Sequence, residues 1–281
     1  LRAAAVLVVL LAGLARAQPF PVTPDLKDLM YARDVALGGA YESLGYGAEA
    51  VGGNPAGMSI YKRYAIEAAG SWDIPPGYGF ATLALMDSTG ALAMGLSYHF
   101  ATYGAFERRW AHITTLAASL PILEFLHIGL AVRHQALVGA SNTNSVTLNA
   151  GLIFHPAEWL SIGVSGHNLI PVYNVDITRY FVASVSSLLF GQLTPVFDLT
   201  VDFNQANPRL AYHGGIEWLI ATAVPLRVGY EYNDITHHQY FSFGTGYFNN
   251  GSGVDLSYRH ELTNAPGAGR MISLSLKLQL N

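Results

Sequence analysis

The chain has 281 residues, of which 51% are hydrophobic and only 12% charged, with a formal net charge of −4. Soluble domains carry a charged fraction of roughly 25%, so the composition points to a large β-protein or a membrane barrel; the negative balance and the lack of any Lys/Arg-rich block exclude nucleic-acid binding. Cysteine is absent, which removes disulfides, thiolate metal sites, a cysteine nucleophile and a lipid-modified N-terminal cysteine.

Residues 1–17 read as a signal peptide: Arg2 is the charged start, Ala3 to Leu14 the apolar run, and Ala15-Arg16-Ala17 an A-x-A cleavage site before Gln18. The run is too short for a spanning helix, which needs about 20 apolar residues. Thr23, Pro24 and Asp25 form an N-cap followed by proline at the first helical position. Leu26, Leu29 and Met30 then share one helical face, which predicts a helix up to about Arg33. From Ala36 to Met58 the chain is rich in glycine and alanine, and Asn54-Pro55 initiates a turn. Within it, Gly45-Tyr46-Gly47-Ala48-Glu49-Ala50 fits G-x-G-x-x-A, with Glu67 twenty residues beyond Gly47. A dinucleotide site also needs a strand before the loop and a long helix after it, and Asn54-Pro55 leaves no room for that helix.

From Lys62 onward the pattern changes to alternation. Fourteen candidate strands follow, at about 61–72, 77–87, 90–100, 110–120, 124–135, 145–155, 158–168, 178–189, 194–203, 208–219, 222–233, 238–248, 252–262 and 269–280. The last sets Ile272, Leu274, Leu276, Leu278 and Leu280 against Ser273, Ser275, Lys277 and Gln279. The eleventh sets Val224, Leu226, Val228, Tyr230 and Tyr232 against Arg227, Gly229 and Glu231. One apolar and one polar or small face, over about ten residues, is the signature of a membrane-barrel strand. Tight turns near 87–89, 121–123, 156–157, 220–221 and 249–251 tend to alternate with longer connections near 101–109, 135–144, 169–177 and 262–268, as periplasmic turns and outer loops do. Fourteen strands tilted by about 40–45° enclose a cylinder roughly 30 Å across, wide enough to need a filling. The segment 18–60 is the one available.

The pattern Gly38-Gly39-Ala40-Tyr41, then Ala48 and Ala50, then Asn54-Pro55-Ala56-Gly57-Met58 resembles the N-terminal signature of FadL-like outer-membrane proteins, nearest to the PorV/PorQ branch. That resemblance implies a 14-stranded barrel plugged by an N-terminal hatch with an Asn-Pro-Ala turn. The fold class is therefore all-β: a 14-stranded antiparallel transmembrane β-barrel with an N-terminal hatch or plug in the lumen. Its divisions are 1–17 (signal peptide), 18–60 (helix and hatch) and 61–281 (barrel). The implied location is the outer membrane of a Gram-negative cell, in contact with its lipid.

Strand parity assigns Glu67, Arg133, Asp198, Asp202, Glu217 and Arg227 to the lumen, followed by Glu231, Asp255, Arg259 and Glu261. It adds His127, Ser165, His167 and His213. Such charges stiffen a wall as an ion-pair ladder, or grip a hatch or a passing solute. Ser165, His167 and Asn168 hold the residue types of a hydrolase, but alternation puts Asn168 on the opposite face from the other two. His237-His238 is assigned to an outer loop with no third ligand, so no metal and no cofactor is expected. Two roles follow from the resemblance. One is a PorV-like adaptor, with envelope proteins of a secretion or motility machine as partners. The other is a FadL-like channel for hydrophobic small molecules. With predicted outer loops of at most about ten residues, size favours the adaptor, and neither role is enzymatic.

Overall fold

A computed structural model describes residues 31–74, 79–103, 109–139, 142–172, 177–203, 209–234, 238–263 and 269–280. The signal peptide, the predicted N-cap at Thr23 with the first turns of its helix, and His237 lie outside the described residues.

Fourteen antiparallel strands, β1 (Tyr64–Asp73), β2 (Gly79–Asp87), β3 (Ala93–Tyr103), β4 (Arg109–Leu123), β5 (Leu126–Val138), β6 (Thr143–Ala157), β7 (Leu160–His167), β8 (Tyr180–Ser187), β9 (Leu193–Asp202), β10 (Arg209–Ile220), β11 (Val224–Asn233), β12 (His238–Asn249), β13 (Ser252–Glu261) and β14 (Arg270–Leu280), pair in sequence order, and β1 pairs with β14 to close the cylinder. The closing register joins Tyr64 to Leu280 and Asp73 to Met271. Each strand edge is thus paired, so no ladder is left open. The connections at one end, among them 124–125, 158–159, 221–223 and 250–251, hold at most five residues; those at the other reach the twelve of 168–179. Three of the short ones turn through left-handed backbone, at Phe190-Gly191 (φ 54° and 68°), Ala221-Thr222 (φ 50° and 61°) and Asn250-Gly251 (φ 47° and 80°); the last joins Asn249 to Ser252 and has the twist that a two-residue hairpin demands.

Parity decides which way every side chain faces. The outer face is aliphatic: Leu130 is 64% and Leu116 53% exposed. All four tryptophans of the chain also face outward, two at each end of the cylinder: Trp72 and Trp110 at the long-loop end, Trp159 and Trp218 at the short-turn end. Phe181, Phe203 and Tyr212 join the first pair; Tyr64, Phe125 and Tyr247 join the second.

The inner face packs against residues 31–60. This segment holds a short helix α1 (Ala32–Ala36) and two 3-10 turns, Ala48–Val51 and Pro55–Ser59. The helix begins after Tyr31, whose backbone is extended (φ −136°, ψ 151°), so it does not continue the helix that the sequence pattern ended near Arg33. It stops because Gly38 and Gly39 adopt φ of 67° and 81°, which an L side chain resists. The helix lies against β11 to β14, the first 3-10 turn against β1 to β3, and the second against β4 to β6.

Candidate functional site

The site is the occupied interior of the cylinder, built from the inward residues of the strands and the backbone of residues 31–60. Asn54 caps the second 3-10 turn: its Oδ1 accepts from the Ala56 N–H at 3.1 Å, and Pro55 takes the first position, where no N–H is needed. The Asn54 Nδ2 donates to the Glu42 carbonyl at 3.2 Å, which ties the two halves of the glycine-rich stretch together. Ala40, Asn54, Pro55, Ala56 and Gly57 are fully buried, as is most of Tyr41.

Polar wall residues hold this backbone. One Asp198 oxygen accepts from the N–H groups of Tyr41 and Glu42, both at 3.0 Å, and the other accepts from Ser184. Arg133 donates to the Gly52 carbonyl at 2.6 Å. Ser161 donates to the Ser43 carbonyl at 2.9 Å, and the Ala32 N–H donates to Ser275 at 2.9 Å. An unpaired amide in such a buried interior costs about 1–3 kcal/mol, so these contacts satisfy a stretch with little secondary structure of its own.

The second means of attachment is steric. Wall glycines stand where the segment's backbone touches the sheet. A Cβ on Gly229 would lie 2.2 Å from the Gly38 nitrogen, one on Gly215 2.7 Å from the Leu37 carbonyl oxygen, and one on Gly129 2.4 Å from the Ala56 nitrogen. A Cβ on Gly151 would lie 1.9 Å from the Asn54 Oδ1. Glycine inside a strand weakens it; here it lets a second backbone seat directly on the wall.

Charge supplies the third. Across β10, β11, β13, β14 and β1 runs a ladder: Glu217 with Arg227, Arg227 with Asp255, Asp255 with Lys277 (3.4 Å), and Lys277 with Glu67 (3.4 Å). Arg33 of α1 joins it through both Glu217 oxygens, at 3.1 and 3.0 Å, and through Glu49 at 3.3 Å. The wall ladder and the grip on the segment are one network. Glu231, Arg259 and Glu261 lie nearer the long-loop end and face inward; Arg259 pairs with Glu231 at 3.7 Å and covers the Tyr240 ring. Asp202 faces inward beside them. Arg33, Lys277 and Ser184 escaped the sequence-based selection, the first because it belongs to no strand.

Two sequence expectations are corrected. Asn168 is buried, not on the outer face: it sits just after β7 (Leu160–His167) with φ 52°, and this left-handed residue breaks the alternation and turns its side chain to Gln135. His238 is the first residue of β12 (His238–Asn249), as the strand bounds of 238–248 predict, so its assignment to a loop with His237 is corrected; it pairs with Glu261. The Ser165 hydroxyl lies 3.0 Å and the Glu42 carboxylate 3.2 Å from the same His167 nitrogen, Nε2. A relay needs the acid and the nucleophile on opposite nitrogens, so these three groups do not form one.

Asp34 stands apart. Its carboxylate is buried, and among the described residues neither oxygen has a hydrogen-bond partner. Burial, then the Glu49 and Glu67 carboxylates, push its pKa well above the usual carboxylate range, against the pull of Lys277 and Arg33; Tyr31 also faces the group. A raised folded-state pKa means that the group's contribution is complete below the unfolded value of about 4 and is lost as the pH climbs towards the folded value. Asp34→Asn is therefore expected to raise the urea midpoint at neutral pH and to match the parent near pH 4, measured by unfolding in detergent at a series of pH values. A larger deficit for the variant at neutral pH than at pH 4 would contradict this.

No family model and no curated protein sequence matches the chain. Solved structures do. The CymD monoaromatic hydrocarbon channel matches with a TM-score of 0.74 at 12% identity, over 90% of this chain and 97% of that one. The toluene transporter TbuX of Ralstonia pickettii matches with 0.72 at 11%, over 92% and 100%. The toluene transporter TodX of P. putida matches with 0.71 at 12%, over 92% and 99%. This is the fold of the FadL-family hydrocarbon channels. At such identity the likeness concerns the FadL-type fold alone. It spans nearly the full length of those channels, so the compactness of this chain does not separate it from them.

Proposed function

We propose that the protein is an outer-membrane channel for small hydrophobic molecules, with residues 31–60 as the hatch in its lumen. The observation that carries the membrane assignment is the outer face: an aliphatic belt bounded by tryptophans at both ends. In water, exposed leucines forfeit about 1.5–3 kcal/mol each, whereas lipid accepts them, and aromatic girdles mark both interfaces of membrane barrels. The transport assignment is supported by the FadL-type fold and by an apolar cluster inside the long-loop end, where Val35 of the hatch meets Phe80, Ile113, Leu137 and Met271. A surface of this kind holds an uncharged solute better than an ion. Of the two roles implied by the sequence motif, the channel is the one that the structural neighbours support.

The purified barrel reconstituted into liposomes is expected to speed the entry of a labelled aromatic hydrocarbon, relative to liposomes of the same lipid without protein, and to leave a sugar of similar size outside. Equal entry with and without the barrel would remove the transport reading. Recovery of the mature chain from a detergent-free periplasmic extract would remove the membrane reading.

A further inference from the structure

At the short-turn end, beneath the hatch, a partly open cavity of about 480 Å³ reaches the turn residues Thr222 and Asn250. This is the size of a small-molecule site, but its walls differ from those of the apolar cluster at the opposite end. Four cations line it, Arg33, Arg63, Arg227 and Lys277, against two carboxylates, Glu49 and Glu217. Both carboxylates are already engaged: Glu217 by Arg33 and Arg227, Glu49 by Arg33. Arg227 and Lys277 find their remaining partners, Asp255 and Glu67, outside the lining.

Arg63 is the exception. Among the described residues it has no carboxylate partner. Its Nη1 donates to the Gln279 side chain at 2.8 Å, and its guanidinium covers the Tyr61 ring at 4.8 Å. Its Nε is buried with no acceptor. The Arg63 guanidinium is thus the lining cation whose charge no carboxylate offsets, and a planar guanidinium beside an open cavity suits a bound carboxylate. Across the cavity, Tyr46, Leu219, Pro225 and Phe248 supply an apolar side.

We propose that this cavity binds a compact aromatic carboxylate, its acid group on Arg63 and its ring against Tyr46, Leu219 and Phe248. The site is separate from the apolar cluster and takes a different chemical class from the neutral hydrocarbons that the structural neighbours are named for. It does not depend on the channel reading, because binding is measured on the isolated barrel and transport in liposomes.

Isothermal titration of the detergent-purified full chain with sodium benzoate is expected to show saturable binding at one site. Arg63→Gln should weaken it at least tenfold and Arg63→Lys less, while Lys62→Gln, outside the lining, should leave it unchanged. Leu219→Trp, which fills the apolar side and keeps every charge, should weaken it too, so the outcome does not hang on the folding of one variant. Toluene should not displace benzoate, and inorganic phosphate should bind more weakly. Absence of saturable benzoate binding, or an affinity unchanged in both Arg63→Gln and Leu219→Trp, would overturn the proposal. Phosphate binding tighter than benzoate, or displacement of benzoate by toluene, would do the same by removing the ring or the acid from the recognition.

Discussion

Replacing Gly229 and Gly151 together by alanine is expected to unseat residues 31–60, the proposed hatch, while the cylinder around them still closes. The added methyl groups would sit 2.2 Å from the Gly38 nitrogen and 1.9 Å from the Asn54 Oδ1, distances at which one of the two chains must move. Gly229 is paired on both sides, to Gly215 of β10 and Ser242 of β12, so the wall is restrained by two ladders. The segment is held by scattered side-chain bonds, so the segment yields. Overpacking of this kind costs about 1–3 kcal/mol per site, and distant sites add. Planar-bilayer recordings should show higher conductance than the parent, and limited proteolysis should cut within residues 36–58, which the parent protects. Gly214→Ala is the control. It lies on the outer face of the same region with open space around it, and it should change neither measurement. Parent-like conductance and protection in the double variant would mean that the close backbone approach does not hold the hatch.

Glu217→Ala is expected to produce the largest loss of stability among single substitutions in the ion network. Glu217 accepts from both Arg33 and Arg227, so its removal leaves Arg33 only Glu49 and Arg227 only Asp255. Breaking a buried ion pair by deleting one partner costs about 3–5 kcal/mol, chiefly because a charge is left uncompensated. The same substitution in an Arg33→Ala background should cost less than it does alone, since the cation that loses two of its carboxylate contacts is then gone. Urea unfolding of the parent, the two single variants and the double variant closes the cycle. Additive losses would show that Arg33 and Glu217 act independently and that the ladder does not anchor the hatch.

The wall was legible residue by residue. The fourteen strands read from alternation fall within a few residues of those observed, because a pleated strand fixes side-chain direction with a period of two whatever it packs against. Inward placement of Asp198, Arg133, Glu217 and Asp255 follows from the same local rule. Asn168 shows where the rule stops: one left-handed residue takes a side chain off the alternation. The tryptophans carried a signal that was present but unread, since each falls at a strand end or in a turn.

The contacts of the interior were not legible in this way. Arg33 and Glu217 are far apart in the chain, and neither shows in its own neighbourhood that the other will be its partner. Gly129, Gly151, Gly215 and Gly229 read locally as weak points in strands, and only the path of residues 36–56 around the lumen makes them a seat. What the sequence determined by itself is thus the cylinder, its strand number and its two faces, because these depend on local backbone geometry and the medium each face must meet. What the tertiary structure alone decided is how the lumen is filled, which charges find one another, and where, among the described residues, an arginine is left without a carboxylate. Those outcomes depend on distances between residues that meet only when the sheet closes.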